Sequence, residues 1–518
     1  MNCQRIKRSG KPAGWLHSLC CAGCRASRRT DDLLAFGVVQ LRKQSAAVTA
    51  LNRTMGVLDL PPIAENWSLL RRRQRRTLIR RASAATVTFG ILSWSAYMNW
   101  MPSDYLAPAK IQRTMGYEAL LAADKAMTVK ADKISSDVST LELHKTFGPI
   151  PEEATVGRFV AANAQALGIL HANLAQPYEE PLPRSVHDET YNTNIIHPLG
   201  VLLQAEAVWR ASQGDRSGAL DDALQMITFG ANVSGHGSVL NRFLGIQSQR
   251  YGQLMIWRLL PSLSAEEAHQ ACRRVDAARG LHTPLQTTVQ WEREAGLALR
   301  RDILASPVWR WRFAKEMGNY DTALPAGIGM AVKLYGFSNR RIMQDYLRLM
   351  DAQEKQWSQP YSPVPSQPLP EPADMVNQML FPAFTEVPFI DAENETQNAL
   401  LMTALALQAY RQEHGAYPQT LQALCPKYLN SVPTDPFHPG ASLRYATVRI
   451  RTPFIDGAPP VHGMPGYPKY LLYSVGPDTL DQHGAPALSG TSSASSLKPE
   501  ILWVRKESAG DIVAGINF

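Results

Sequence analysis

Cysteine is scarce where a fold would use it. The 518-residue chain has six cysteines, and Cys3, Cys20, Cys21 and Cys24 lie in its first 24 positions. Only Cys272 and Cys425 fall in the long remainder. That excludes a disulfide framework, which needs more cysteines at closer spacing. Cys21-Ala22-Gly23-Cys24 is a lone CxxC. Zinc takes four ligands, and no second CxxC or histidine pair follows nearby, so a bland tail outweighs a metal or redox role. Catalytic signatures are missing too. The chain has no Gly-rich phosphate loop, no GxSxG elbow and no kinase set, and His187, His197, His236, His269 and His282 lack HExxH-type spacing. These absences weigh against an enzyme without excluding one. Glu292 and Glu294 are two apart on an expected helix and face different ways, so a solvated face with an ion pair is the expected reading.

Charge of either sign is missing from one stretch, Ala82 to Ser103, which holds 22 uncharged residues. A basic cluster from Arg71 to Arg81 precedes it. As a helix the stretch is long enough for a hydrocarbon core of about 30 Å. Trp94, Tyr97 and Trp100 gather at its far end, where aromatic rings favour a headgroup boundary. The expectation is a single transmembrane helix contacting lipid through residues 82–103, in a bacterial inner membrane. Its arginines would mark the cytoplasmic side, and the bulk of the chain would be extracytoplasmic. The sequence from Gln74 to Arg80 also resembles a twin-arginine export signal. The best small-x-small cleavage site, Ser93-Trp94-Ser95, is poor, which favours an uncleaved anchor. A buried helix of a soluble protein is the competing reading, and the arginine block speaks against it.

The net charge of +8 is local. Residues 1–81 carry a net +13, and the remainder carries −5. A nucleic-acid partner is therefore not expected, since such proteins carry a basic folded surface. Residues 1–70 read as a disordered basic cytoplasmic tail, with Met55 as a candidate true start, and residues 71–103 as the arginine cluster and anchor.

Residues 104–355 show helical periodicity. Leu202, Leu203, Ala207, Val208 and Ala211 form one face, Gly214-Asp215 interrupts, and Ala219-Leu220, Ala223-Leu224 and Ile227 resume. Gly suits a left-handed helix end and Asp an N-cap, so this is an expected helical hairpin. Ser264-Ala265-Glu266-Glu267 reads as a capping box. The hairpin resembles a tetratricopeptide unit, but no 34-residue period repeats, so an irregular helical-hairpin domain is expected. Gln359 to Pro372 is too proline-rich for helix. It marks a linker at 356–391 or a loop lying across the helical domain.

Residues 392–518 read as a helix from Ala399 to His414 ended by Gly415, a short second helix over Thr420 to Leu424, and strands near 443–451, 469–474, 501–505 and 511–516. The fold class expected for the whole is mainly α with a small α+β C-terminal domain. Tyr410, Gly415-Ala416-Tyr417-Pro418, Asp435-Pro436, Leu443-Arg444-Tyr445 and Tyr473-Ser474-Val475-Gly476-Pro477-Asp478 resemble the globular head of the major pseudopilins of type II secretion. Phe437-His438 stands where that family has Trp-Gly. About 290 residues separate the span from the head-like helix, and the pilin processing site is missing. The resemblance therefore implies a larger envelope protein carrying a pilin-head-like module, and not a filament subunit. It also implies calcium as a cofactor, with Asp478 and Asp481 as metal ligands and Asp511 as a further match; calcium wants six to eight oxygens. The function expected is binding or structural, with envelope-protein partners in a secretion or pilus-like system. The alternative is an extracytoplasmic hydrolase with its site in the helical domain.

Overall fold

The computed structural model describes residues 72–101, 114–130, 153–183, 195–318, 334, 336–364, 367–381, 384–447, 470–487 and 504–517. The expected tail over 1–70, the CxxC, His187 and most of the expected strand at 501–505 lie outside them. Contacts divide the chain into residues 1–98 and 99–518.

Helix α1, Arg72–Asn99, carries the basic cluster and most of the uncharged stretch. It stops short of Pro102, as expected where proline restricts the residue before it. Val87, Phe89, Ile91, Leu92, Trp94 and Tyr97 are exposed. They point in every direction around the axis. Ser83, Thr86, Thr88, Ser93 and Ser95 dilute the run, and no helix among the described residues is long and apolar enough to cross a membrane.

Residues 99–518 are mainly helical, with a three-stranded antiparallel sheet. The helices are α2 (Met115–Ala126), α3 (Glu153–Ala162), α4 (Ala164–Asn173), α5 (Ile196–Ser212), α6 (Arg216–Gly235), α7 (Val239–Leu259), α8 (Ala265–Arg279), α9 (Leu285–Ala305), α10 (Trp309–Gly318), α11 (Asn339–Trp357), α12 (Met375–Leu380) and α13 (Val387–His414). The expected hairpin is α5 and α6. Gly214 sits at φ +79°, and the Asp215 side chain accepts from Gly218 N at 2.9 Å. The capping box forms at the start of α8, with Ser264 and Glu267 bonded reciprocally.

Helices α6 and α7 cross very closely. A Cβ on Gly230 would lie 2.2 Å from Gly245 O, and one on Gly252 would lie 2.5 Å from Ala223 O. Gly245 and Gly252 are two turns apart on one face, opposite Gly230 and Ala223 in antiparallel register.

Helix α13 differs most from expectation. It starts at Val387, inside the expected linker, with proline in its first turn. It is not amphipathic: Ala399, Leu400, Leu401, Ala404, Leu405, Ala406 and Leu407 are fully buried, the pattern of a helix enclosed on all sides. It packs on α7, α8 and strand β2. One continuous core contains Leu202 and Ile227 of the hairpin, Leu405 of α13 and Ile512 of the sheet. The proline-rich segment is therefore not a boundary between two cores. It is a loop within one body, since helices earlier and later in the chain than this loop contribute to the same core, and the division expected at 356–391 is corrected.

The sheet has order β1-β2-β3, with β1 (Arg444–Ala446), β2 (Leu471–Ser474) and β3 (Ile512–Val513). Its register pairs Tyr445 with Leu472 and Tyr473 with Val513. The short second helix is a 3-10 turn, Leu421–Leu424.

Substituting Gly245→Ala places a methyl group against backbone, which cannot yield. Overpacking of this kind destabilises by about 1–3 kcal/mol. Urea unfolding followed by circular dichroism should show that loss. Gly200→Ala, whose Cβ would meet only Phe229 at 3.8 Å, should be neutral or mildly stabilising. Equal behaviour of the two variants would contradict the close crossing.

Candidate functional site

Four places in the body concentrate chemistry. The first is a cleft of about 770 Å³. The end of α11, the proline-rich loop, the start of α13 and the C-terminal loop build it. Its apolar wall includes Tyr361, Val364, Leu369 and Phe389, and its cations are Lys355 and Lys506. Proline removes backbone donors and fixes φ, so the loop offers rigid apolar edges. Tyr361 is wedged edge-on against Phe437, with ring centroids 4.8 Å apart, and its hydroxyl donates to Pro477 O at 3.4 Å. Val364 is 77% exposed, an apolar side chain left facing solvent.

The second is the turn system carrying the expected calcium ligands. Asp478 Oδ1 accepts from Leu480 N at 3.1 Å, and its Oδ2 accepts from Gln482 Nε2 at 2.7 Å and Gly510 N at 3.1 Å. Asp481 Oδ1 accepts from the Tyr473 hydroxyl at 3.0 Å and His483 N at 2.9 Å, and its Oδ2 faces Arg444 Nε at 3.3 Å. Asp511 accepts from Gln482 N at 3.3 Å and Gly484 N at 2.6 Å. Burial pushes the Asp511 carboxyl up to about 6. Burial also works upward on Asp481, but its His483, Tyr473 and Arg444 partners outweigh that and leave it lowered. Each carboxylate thus ties a turn together. The calcium expectation draws on the resemblance, and this geometry adds nothing to it.

A neighbouring motif has a clear structural task. Asp435 accepts from the Ser474 hydroxyl at 2.6 Å, Val475 N at 3.0 Å and Phe437 N at 3.0 Å. The Asp-Pro turn and the Ser-x-Gly turn therefore hold each other.

The third place is the start of α7. Glu180 Oε2 accepts from Ser238 N at 2.8 Å, and Glu292 Oε1 accepts from Val239 N at 2.7 Å. Two carboxyls share one helix N-terminus, where orphan N–H groups need acceptors. Burial pushes each up to about 7, and the Glu292 charge adds to the rise at Glu180. Glu292 is half-buried and spends one oxygen on Val239 N, so it is not the solvated-face residue that its sequence neighbours suggested. Its partner lies 53 positions away, beyond any local pattern. Close by, fully buried Arg242 holds Asp391 Oδ1 from NH2 at 2.6 Å and from Nε at 2.8 Å. His282 Nε2 sits 3.3 Å from the same oxygen.

The fourth place joins three helices. His171 (α4), Glu206 (α5) and Asp222 (α6) each offer a ligand atom within 4.8 Å of the others, the one such group among the described residues. His171 Nε2 lies 2.8 Å from Glu206 Oε2. The hydrogen bond to Glu206 raises the His171 pKa. His171 lies outside every histidine spacing considered in the sequence, because its partners are 35 and 51 positions away. Cys272, by contrast, is buried, and burial pushes its thiol up to about 12, which leaves it inert.

Comparison of the chain with family models, with curated proteins and with solved structures finds no match.

Two predictions follow from these carboxyls. Folded Glu180 and Glu292 hold their protons up to about 7, against 4.5 ordinarily. Between those values the folded form keeps a proton that the unfolded form has lost. Stability should therefore fall as pH rises from about 4.5 to about 7, by up to roughly 3 kcal/mol per carboxyl. Glu292→Gln keeps an acceptor for Val239 N and should flatten that slope in urea midpoints at pH 5 and pH 7.5; an unchanged slope would refute the assignment. Calcium at the Asp478 turn would raise the melting temperature of the parent protein and not that of Asp478→Ala. A parent melting temperature indifferent to calcium removes that ligand.

Proposed function

We propose that the chain is a membrane-anchored bacterial envelope protein with a binding role. Helix α1 carries the reading: Phe89 is 73% exposed, Tyr97 65% and Leu92 62%, on different sides of the axis. Large apolar side chains exposed on every side of a helix call for either a protein core or lipid around them. An exposed surface of this kind marks an interaction site. The adjacent arginines supply the cytoplasmic flank, so the chain beyond residue 103 lies outside the inner membrane.

The binding role rests on the cleft. Rigid prolines, two aromatic rings and two lysines favour an extended protein segment bearing an acidic group. Apolar pockets with a few placed polar groups are the usual form of such sites. Association with a secretion or pilus-like system rests on the resemblance of residues 392–518. The alternative, an extracytoplasmic hydrolase, is favoured by one observation, the convergence of His171, Glu206 and Asp222.

Membrane fractionation should leave the full chain in the pellet after carbonate washing and release it in detergent. Protease added to intact spheroplasts should degrade residues beyond 104. Protection of that region, or solubility without detergent, would overturn the anchor. A photo-crosslinking residue at Val364 should capture an envelope protein, and Lys355→Glu with Lys506→Glu should abolish that product.

A further inference from the structure

His171, Glu206 and Asp222 are held in a way that points to a ligand. The support begins at Arg274, whose NH1 contacts Asp221 Oδ1 at 2.5 Å. Asp221 Oδ2 accepts from Gln225 Nε2 at 2.5 Å. A carboxylate only accepts, so the amide nitrogen must face Asp221 and the amide oxygen must face away. That oxygen, Gln225 Oε1, meets His171 Nδ1. The histidine therefore carries hydrogen on Nδ1 and turns Nε2 toward the carboxylates. Metal-ligating histidines are oriented by outer hydrogen bonds of this kind.

Asp222 also faces this point without a hydrogen-bond partner of its own. It is 1% exposed, and neither carboxylate oxygen has a hydrogen-bond donor. Arg210 Nε lies 3.2 Å from Oδ2, but not along a hydrogen-bonding direction. A buried carboxylate without donors either takes up a proton or needs a cation to compensate it. Arg210 supplies that charge incompletely. Its NH2 contacts Glu206 Oε1 at 2.9 Å, and its side chain is 34% exposed, so it can withdraw to solvent.

We propose that His171 Nε2, Glu206 and Asp222 form a binding site for a zinc-class divalent cation, and that Arg210 stands in for the ion when the site is empty. One imidazole nitrogen and two carboxylates are a borderline donor set, suited to zinc and its neighbours. Calcium and magnesium take oxygen ligands. Loading removes the proton from His171 Nε2 and releases Arg210 from both carboxylates. The site does not depend on the anchor or on the cleft.

The test uses the full chain in detergent, stripped with chelator and titrated with zinc chloride alone. Calorimetry and metal analysis should find one equivalent held by nitrogen and oxygen ligands in X-ray absorption. His171→Gln and Asp222→Asn should each weaken binding at least tenfold. Gln225→Leu should weaken it by about 10–100-fold, the size expected for a supporting residue. Arg210→Gln should tighten it by removing the competing cation. Cys21→Ser with Cys24→Ser should leave it unchanged. The proposal fails if no equivalent binds, if the site variants bind as the parent does, if sulfur ligands appear, or if Arg210→Gln weakens binding. His171 is partly exposed, so His171→Gln should fold even if Asp222→Asn does not, and a melting curve on each variant checks this.

Discussion

The body of this protein depends on the burial of α13 on every side. A helix enclosed this way has no polar face to set its rotation, so other contacts must. A row of buried amides supplies them. Gln253 donates to Asn398 Oδ1 at 2.9 Å, and Asn394 and Asn398 both donate to Gln249 Oε1 at 3.2 Å. On the same turns Gln397 donates to Asn517 O at 3.2 Å, which fastens Asn517 to the helix. Apolar packing is tolerant of sliding, whereas an amide pair is lost when displaced, and its buried groups are then unsatisfied. The amides therefore fix the register that the aliphatic side chains leave open.

Ion pairs complete the same design. Arg242 reaches Asp391, Arg250 reaches Glu393, and Arg279 reaches Glu395, each from another helix to the first turns of α13. Arg242 and Glu393 are fully buried while Arg250, Arg279 and Glu395 are partly exposed, and such pairs contribute less to stability than to specificity of arrangement, because desolvation and solvent screening offset much of their attraction. Their loss on one side is a different matter, since it strands a charge. The helix that unites the hairpins with the sheet is thus keyed by polar groups at its start and by apolar burial further along.

Much of the local structure was legible from residue order. Gly214-Asp215, the Ser264 capping box and Gly415 at φ +75° are signals written within a few positions, and the backbone obeys them. Asp435-Pro436 and Ser474-Val475-Gly476 were legible as parts of one resemblance, though not as partners joined by one carboxylate. The extent of α13 was not legible. Its expected start at Ala399 came from one apolar face, while the true start at Val387 precedes a polar stretch, 391–398, that pairs with α7 and α8 through Asp391, Glu393, Asn394, Glu395 and Asn398. Glu292 and His171 were missed for a related reason: their partners sit on other helices, and periodicity reports only which face a residue takes. The expected linker failed because proline content describes a backbone's conformation and says nothing of whether the flanking helices share a core.

The same logic bears on the missing catalytic motifs. A motif is visible when its ligands lie on one helix turn or one loop. In an irregular helical hairpin the side chains that meet come from successive helices, at separations set by helix length. Glu206 and Asp222 meet because α5 and α6 form a hairpin, His171 reaches them from α4 through Gln225 and Glu206, and the close crossing at Gly230 and Gly245 holds α6 against α7. Scarcity of short motifs in this chain therefore reflects architecture as much as chemistry. A helical scaffold can assemble a charged centre from residues 51 positions apart without leaving a recognisable local trace.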